Sequence, residues 1–316
     1  MNTVLQIRVN WDDNDKKDEF LKILISEIPL LNNSNLESLI LRNADDKQFK
    51  HVKNIKFKII NHDNRLASLY RKKIDNLNGD IFLLINYDYP IKIDIFSLEF
   101  TIESLLKRLA LILNLTYNFA IDFLQSVTFS EDDKFYCYSD IILSDLQLAY
   151  EHCEKIKWPK LERVDLDQTI NSFAFNNYSL EAISKNDYQR SINAFTHVFS
   201  DLFEKSSDIL FWNMVGIEAL LAKGNKDIQA QIKEKSILIL GEPSEFKKKL
   251  GTLYSYRSKF VHGELNFPAK FSEDYDSFDD EYSDYKAFST SIHLALLREL
   301  IRNKKTEFKF EYVYLE

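Results

Sequence analysis

A chain of 316 residues exceeds one simple core and fits two domains of about 100 to 200 residues each. Hydrophobic residues make up 45% and aromatics 14%, against six Gly and five Pro, which excludes an intrinsically disordered chain. The net charge of −8 excludes a protein that coats nucleic acid over its whole surface, because phosphate binding needs clustered Lys and Arg; a local basic site stays open.

From the N-terminus, residues 4–9 alternate apolar and polar side chains, as do residues 55–59 and 91–95, which is the two-residue repeat of a half-buried strand. The segments GDIFLLINY (79–87) and PIKIDIF (90–96) read as two neighbouring strands, separated by little more than Asp88 and Tyr89. A long helix is expected at about 97–125. Its most apolar stretch, 105–124, holds Lys107, Arg108, Asn114, Asn118 and Asp122, too many polar groups for a lipid-facing span of about 20 residues. The N-terminus, MNTVLQIRVNWDD, lacks the basic start and long apolar run of a signal peptide, so a cytoplasmic protein without a membrane partner is expected. Residues 1–150 carry no phosphate-binding Gly loop, nucleophile elbow or paired-acid motif. They read as an α+β domain, a candidate sensor or regulator.

The pattern changes near Trp158 and Pro159, which places a boundary at about 155–165 and divides the chain into domains 1–160 and 161–316. Helices are then expected at about 179–204, 208–223, 227–240, 244–262 and 285–303, with a closing strand at 307–315. The expected fold is an α+β N-terminal domain followed by an all-α helical bundle. Between the last two helices, SEDYDSFDDEYSDY (272–285) interleaves seven acids with four aromatics. It reads either as a solvated surface loop or as an acidic, aromatic segment that guards a nearby basic site. Cys137 and Cys153 cannot build a disulfide framework, and the six histidines show no HExxH or HxH spacing, so neither a metal nor another cofactor is expected.

Two helices carry charges on their apolar faces. With Phe246 as origin and about 100° per residue, Leu250, Leu253 and Val261 fall within about 60°, and so does Arg257. In the segment FWNMVGIEALLA (211–222), Glu218 lies among Met214, Val215 and Ala222 by the same rotation. An acid and a base on inward faces suggest a pair, because an unpaired buried charge costs several kcal/mol. The pair is either a structural salt bridge or a device by which Glu218 orients Arg257 toward an anionic substrate, a task suited to a guanidinium that grips phosphate through two donors. His262 stands immediately before Gly263, where a helix stops; it is either a dipole-stabilised terminal residue or a working one. Five residues separate it from Arg257, which corresponds to about 140° around an ideal helix.

The stretch YSYRSKFVHGE (254–264), preceded by FWNMVGIEALLA, resembles the HEPN superfamily, and in particular its ApeA-like branch associated with bacterial antiphage defence. The resemblance covers roughly residues 165–300 and rests on an Arg followed after four residues by His near the end of a bundle helix. It implies a HEPN-like bundle in which Arg257 and His262 are the catalytic pair of a metal-independent endoribonuclease, a toxin-like effector of abortive infection. It also implies a homodimer, an RNA substrate and a cognate defence-system protein as partners. The residue after the Arg is often Asn, Asp or His in active members; here it is Ser258, which keeps a hydrogen-bonding group but loses charge and reach. That departure, with the acidic segment, supports the alternative of a catalytically inactive HEPN binding module or adaptor. Lys247, Lys248, Lys249 and Lys259 lie on the more polar faces of the same helix and read either as an RNA-backbone contact or as a solvated face.

Overall fold

The computed structural model describes residues 1–11, 13–32, 52–60, 81–89, 95–129, 135–138, 144–176, 178, 183–199, 208–224, 226–243, 247–264 and 279–311. The first half builds a five-stranded sheet from β1 (Asn2–Asn10), β2 (Lys53–Ile60), β3 (Ile81–Asp88), β4 (Ala120–Phe129) and β5 (Phe135–Tyr138), in the order β2-β3-β1-β4-β5 with every neighbouring pair antiparallel. β1 is central and buried on both faces, so it lacks the polar face that an edge strand shows. Leu5, Ile7, Leu83, Ile85, Ile121 and Phe123 point toward the helices, while Val4, Phe82, Leu84 and Val127 form a separate cluster on the opposite face.

Helices α1 (Asn14–Glu27) and α2 (Ile95–Thr116) belong to this half, followed by α3 (Ser144–Ile156) and α4 (Leu166–Phe175). The second half is helical: α5 (Asp187–Phe195), α6 (Ile209–Leu221), α7 (Ile228–Leu240), α8 (Lys247–Val261) and α9 (Asp279–Arg302). Local chemistry starts several of these helices, since Asp13, Asp165 and Asn186 each accept from a backbone N–H of the first turn. The sheet-then-helices layout agrees with the sequence expectation in its coarse form.

Several expectations are corrected. The helix expected at 97–125 ends at Thr116, and its second part is the strand β4. Asn114 explains the switch: its amide donates to the Ile121 carbonyl at 3.0 Å and its Oδ1 accepts from the Ile121 N–H at 2.8 Å, so the side chain imitates a strand partner and folds the chain back. The strand expected at 91–95 lies outside the described residues except for Ile95, which opens α2; the neighbours of β3 are β1 and β2. Of the acidic segment, residues 279–285 are the first turns of α9, and the rest lies outside the described residues. Residues 307–311 form no strand, and 312–316 lie outside the described residues. Within the expected 179–204 helix, regular structure among the described residues 183–199 covers α5 and a 3-10 turn at Thr196–Val198.

One contiguous core runs from the helix-facing side of the sheet through α2, α3 and α4 to α6 and α9. Arg298 of α9 is fully buried within it and donates to the carbonyls of Asn114, Leu115, Tyr117, Leu161 and Glu162 and to the Tyr150 hydroxyl. On the same helix, His293 is fully buried between Ser191 Oγ at 2.9 Å and Asn213 Oδ1 at 3.0 Å. A Cβ on Gly216 would lie 2.1 Å from this imidazole, so glycine is what lets α6 and α9 approach here.

Replacing Arg298 by Met should cost about 3 to 5 kcal/mol, because several buried carbonyls lose their donor at once; chemical denaturation measures it, and an unchanged midpoint would refute the capping role. Burial depresses the pKa of His293 to about 3 and that of His152 to about 4, from an ordinary 6.5. Both contribute stability above pH 6.5 that is lost as pH falls from there toward those lowered values, at up to about 1.4 kcal/mol per pH unit for each. Melting temperatures followed from pH 7 to 4.5 check this, and an NMR titration placing His293 near its ordinary value would contradict it.

Candidate functional site

The site forms where α6 faces α8. On α6, Phe211, Val215, Glu218 and Ala222 recur at intervals of four, three and four residues, one stripe of an α-helix, and all four remain half-buried. On α8, Leu250 and Leu253 are buried, whereas Tyr254, Arg257 and Ser258 are half-buried and Val261 is 47% exposed. The apolar stripe expected on α8 therefore goes into the core at its N-terminal end and opens to solvent toward Val261.

Arg257 and Glu218 meet. Arg257 Nε lies 3.5 Å from Glu218 Oε1, and each side chain retains 20% exposure. Neither of these two atoms makes a hydrogen bond, although both are sealed from solvent. The guanidinium carbon also sits over the rings of Phe211 and Tyr254, 5.9 Å from each centroid, two cation–π contacts that sequence reading did not identify. The signal was present: Phe211 stands seven residues before Glu218 on the same stripe, and Tyr254 three before Arg257. Nε is sealed against Glu218, while the Arg257 side chain as a whole keeps 20% of its surface exposed. Burial raises the Glu218 carboxyl above its ordinary pKa, and Arg257 offsets this only in part.

His262 is exposed at the end of the same helix. The termination is a Schellman motif: Glu264 N–H donates to Lys259 O at 2.8 Å, Gly263 N–H to Phe260 O at 3.3 Å, and Gly263 takes φ +71. His262 N–H still donates to Ser258 O at 3.0 Å, so the helix is regular up to the histidine. The structure thus pairs Arg257 with Glu218, keeps Ser258 beside them and turns His262 outward.

The lysines divide. Lys259 is exposed, as a backbone contact requires, and the side chains of Lys247 and Lys248 lie outside the described residues. Lys249 does not belong to a polar face: it donates to His152 Nε2 of α3 at 3.0 Å and to Asp284 of α9, with 14% of its side chain exposed. Asp284 Oδ1 is itself 3.1 Å from the same His152 nitrogen. Part of the acidic, aromatic segment thereby clasps α8, with Tyr285 donating to Thr252 at 3.1 Å and its ring tilted against Tyr256, 4.6 Å between centroids.

Cys153 is buried and its thiol is pushed up to about 12, which leaves it unreactive. Among the described residues there is no group of three or more His, Cys, Asp or Glu that could hold a metal, and no helix long and apolar enough to cross a membrane. No family model, curated protein or solved structure matches the chain.

Glu218→Ala should destabilise the protein by about 1 to 3 kcal/mol, less than the loss expected for a fully buried pair, because both partners keep contact with water. Thermal and chemical melts measure it; no change at all would mean that the contact contributes nothing to the packing of α6 on α8.

Proposed function

We propose that the chain is a metal-independent endoribonuclease of HEPN type that acts as a homodimer, an effector of bacterial antiphage defence whose sheet-bearing half senses or restrains the helical one. One observation carries this reading: Arg257 stands against Glu218, Phe211 and Tyr254 with 20% of its side chain still exposed, on the helix that ends in the exposed His262.

The chemistry follows from the side chains. A guanidinium keeps its charge near neutrality and presents a planar fork that fits phosphate, so Arg257 stabilises the negative charge that develops on a pentavalent phosphorus. Its preorganisation matters, because donors already aimed by neighbours need no reorganisation during the reaction. An imidazole exchanges protons in the physiological range, so His262 serves one of the oxygens that gain or lose a proton. Exposed Lys259 adds positive charge along the same helix and lengthens the contact with an RNA backbone. The exposed apolar side chains Leu238, 74% open, and Val261, 47% open, supply material for pairing two copies.

Purified protein incubated with single-stranded RNA and EDTA should leave 2′,3′-cyclic phosphate and 5′-hydroxyl ends. Arg257→Ala and His262→Ala should each lower cleavage at least about 100-fold, and sedimentation should report a species of twice 37.3 kDa. Cleavage that disappears with EDTA and returns with a divalent cation, or cleavage indifferent to both substitutions, would overturn the reading.

A further inference from the structure

Metal-free cleavage of an RNA phosphodiester needs two proton carriers, one to take the 2′-hydroxyl proton and one to protonate the departing 5′-oxygen. Arg257 can be neither, since its guanidinium does not deprotonate in proteins. His262 can be one. If the ribonuclease reading holds, a second titratable group must stand within reach of the phosphate that Arg257 grips.

Glu218 stands there, and its contact with Arg257 is not that of a structural ion pair. Closed Arg–carboxylate pairs make short, often doubled hydrogen bonds of about 2.7 to 2.9 Å. Here the nearest approach is 3.5 Å, and both facing atoms are left without a hydrogen bond in a sealed spot. Oε2, the other carboxylate oxygen, has no partner among the described residues, and the residue keeps 20% of its side-chain exposure. Three titratable or charged groups on the neighbouring helices are committed elsewhere. Lys235 of α7 donates to Leu221 O and Gln231, Asp187 of α5 binds Lys223 and Arg190, and His293 of α9 is held by Ser191 and Asn213. Arg257 is thus the charge that acts on Glu218, and burial outweighs it, holding the carboxyl above the usual carboxylate range.

We propose that Glu218 is the proton acceptor of the cleavage, with His262 as the proton donor and Arg257 on the phosphate between them. The Glu218 carboxylate takes the 2′-hydroxyl proton while the freed oxygen lone pair forms the new bond to phosphorus. The bond from phosphorus to the 5′-oxygen breaks, and its electron pair takes the proton of the His262 imidazolium. The products are a 2′,3′-cyclic phosphate and a 5′-hydroxyl; protonated Glu218 and neutral His262 return to their starting states by exchange with water.

Two substrates separate the roles: a normal oligoribonucleotide, and one in which sulfur replaces the scissile 5′-oxygen, whose thiolate leaves without a proton. Glu218→Gln, of equal size, should slow both by about 100- to 10,000-fold and abolish the loss of rate toward low pH, because that limb reports protonation of the acceptor. Glu218→Asp should retain the limb. His262→Ala should be slow on the oxygen substrate and recover on the sulfur one. A Glu218→Gln variant that cuts like wild type, or one that the sulfur substrate rescues, overturns this assignment while leaving the ribonuclease reading in place. A wild type that cuts neither substrate overturns the ribonuclease reading itself. Thermal melts identify a Glu218→Gln chain that has lost its fold, in which case Glu218→Asp with its pH profile decides.

Discussion

A guanidinium taken wholly out of water must find acceptors for its five N–H groups, and the fold is arranged so that Arg298 finds them. The C-terminal turn of α2 offers the complement, because the last carbonyls of a helix have no intrahelical donor and carry the negative end of its dipole. Arg298 takes Asn114 O, Leu115 O and Tyr117 O there, then Leu161 O and Glu162 O on the way to α4, and the Tyr150 hydroxyl of α3. Among the described residues none of its hydrogen-bond acceptors is a carboxylate, so the charge is met by oriented dipoles, and burial lowers its pKa. One side chain of the last helix therefore fixes where α2 ends. Asn114, in that same turn, fixes where β4 begins.

The constraint passes to the candidate site through α9. The same buried helix carries His293, which presses on Gly216 of α6 while its ring nitrogens are bound by Ser191 and Asn213. The axial placement of α6 is thereby set, and with it the height of Glu218 relative to Arg257. From the other side, Lys249, His152 and Asp284 hold α8 to α3 and α9. The imidazole of His152 is kept largely neutral by burial and by Lys249, so the charge balance there is one cation against one anion. α8 is thus gripped at its N-terminal end, and its open end carries His262.

What the sequence made legible follows from which forces are local. Helices α6 to α9 could be read because their apolar periodicity and the stop signal Gly263 are properties of short windows, whereas α4, at Leu166–Phe175, was not expected. The inward Glu218 and Arg257 could be read from rotation alone, since two isolated charges on apolar stripes have few neighbours to choose from. The change from α2 to β4 could not, because 105–124 is apolar-rich throughout with no Gly or Pro to mark a break, and a buried helix and a buried central strand look alike over such a run. The deciding groups, Asn114 and Arg298, act through contacts 7 and 184 residues apart. Lys249 was misplaced for a related reason: it sits on the polar side of α8 by sequence, but α3 and α9 cover that side.

The wide angle between Arg257 and His262 takes on a different meaning once the helix end is seen. A loosened last turn would have brought the two side chains together, yet His262 N–H still closes a regular bond to Ser258 O and the Schellman pair follows immediately, so the separation of about 140° stands. For two groups asked to hold one oxygen, that divergence is a defect. For transfer at phosphorus it is not, because the attacking and departing oxygens lie roughly in line on opposite sides of the reacting atom. A proton acceptor on the inward flank of Arg257 and a proton donor around the helix from it suit those two ends better than neighbouring groups would. If Glu218 supplies the second titrating group from α6, Ser258, directly after the arginine, is left with hydrogen bonding alone.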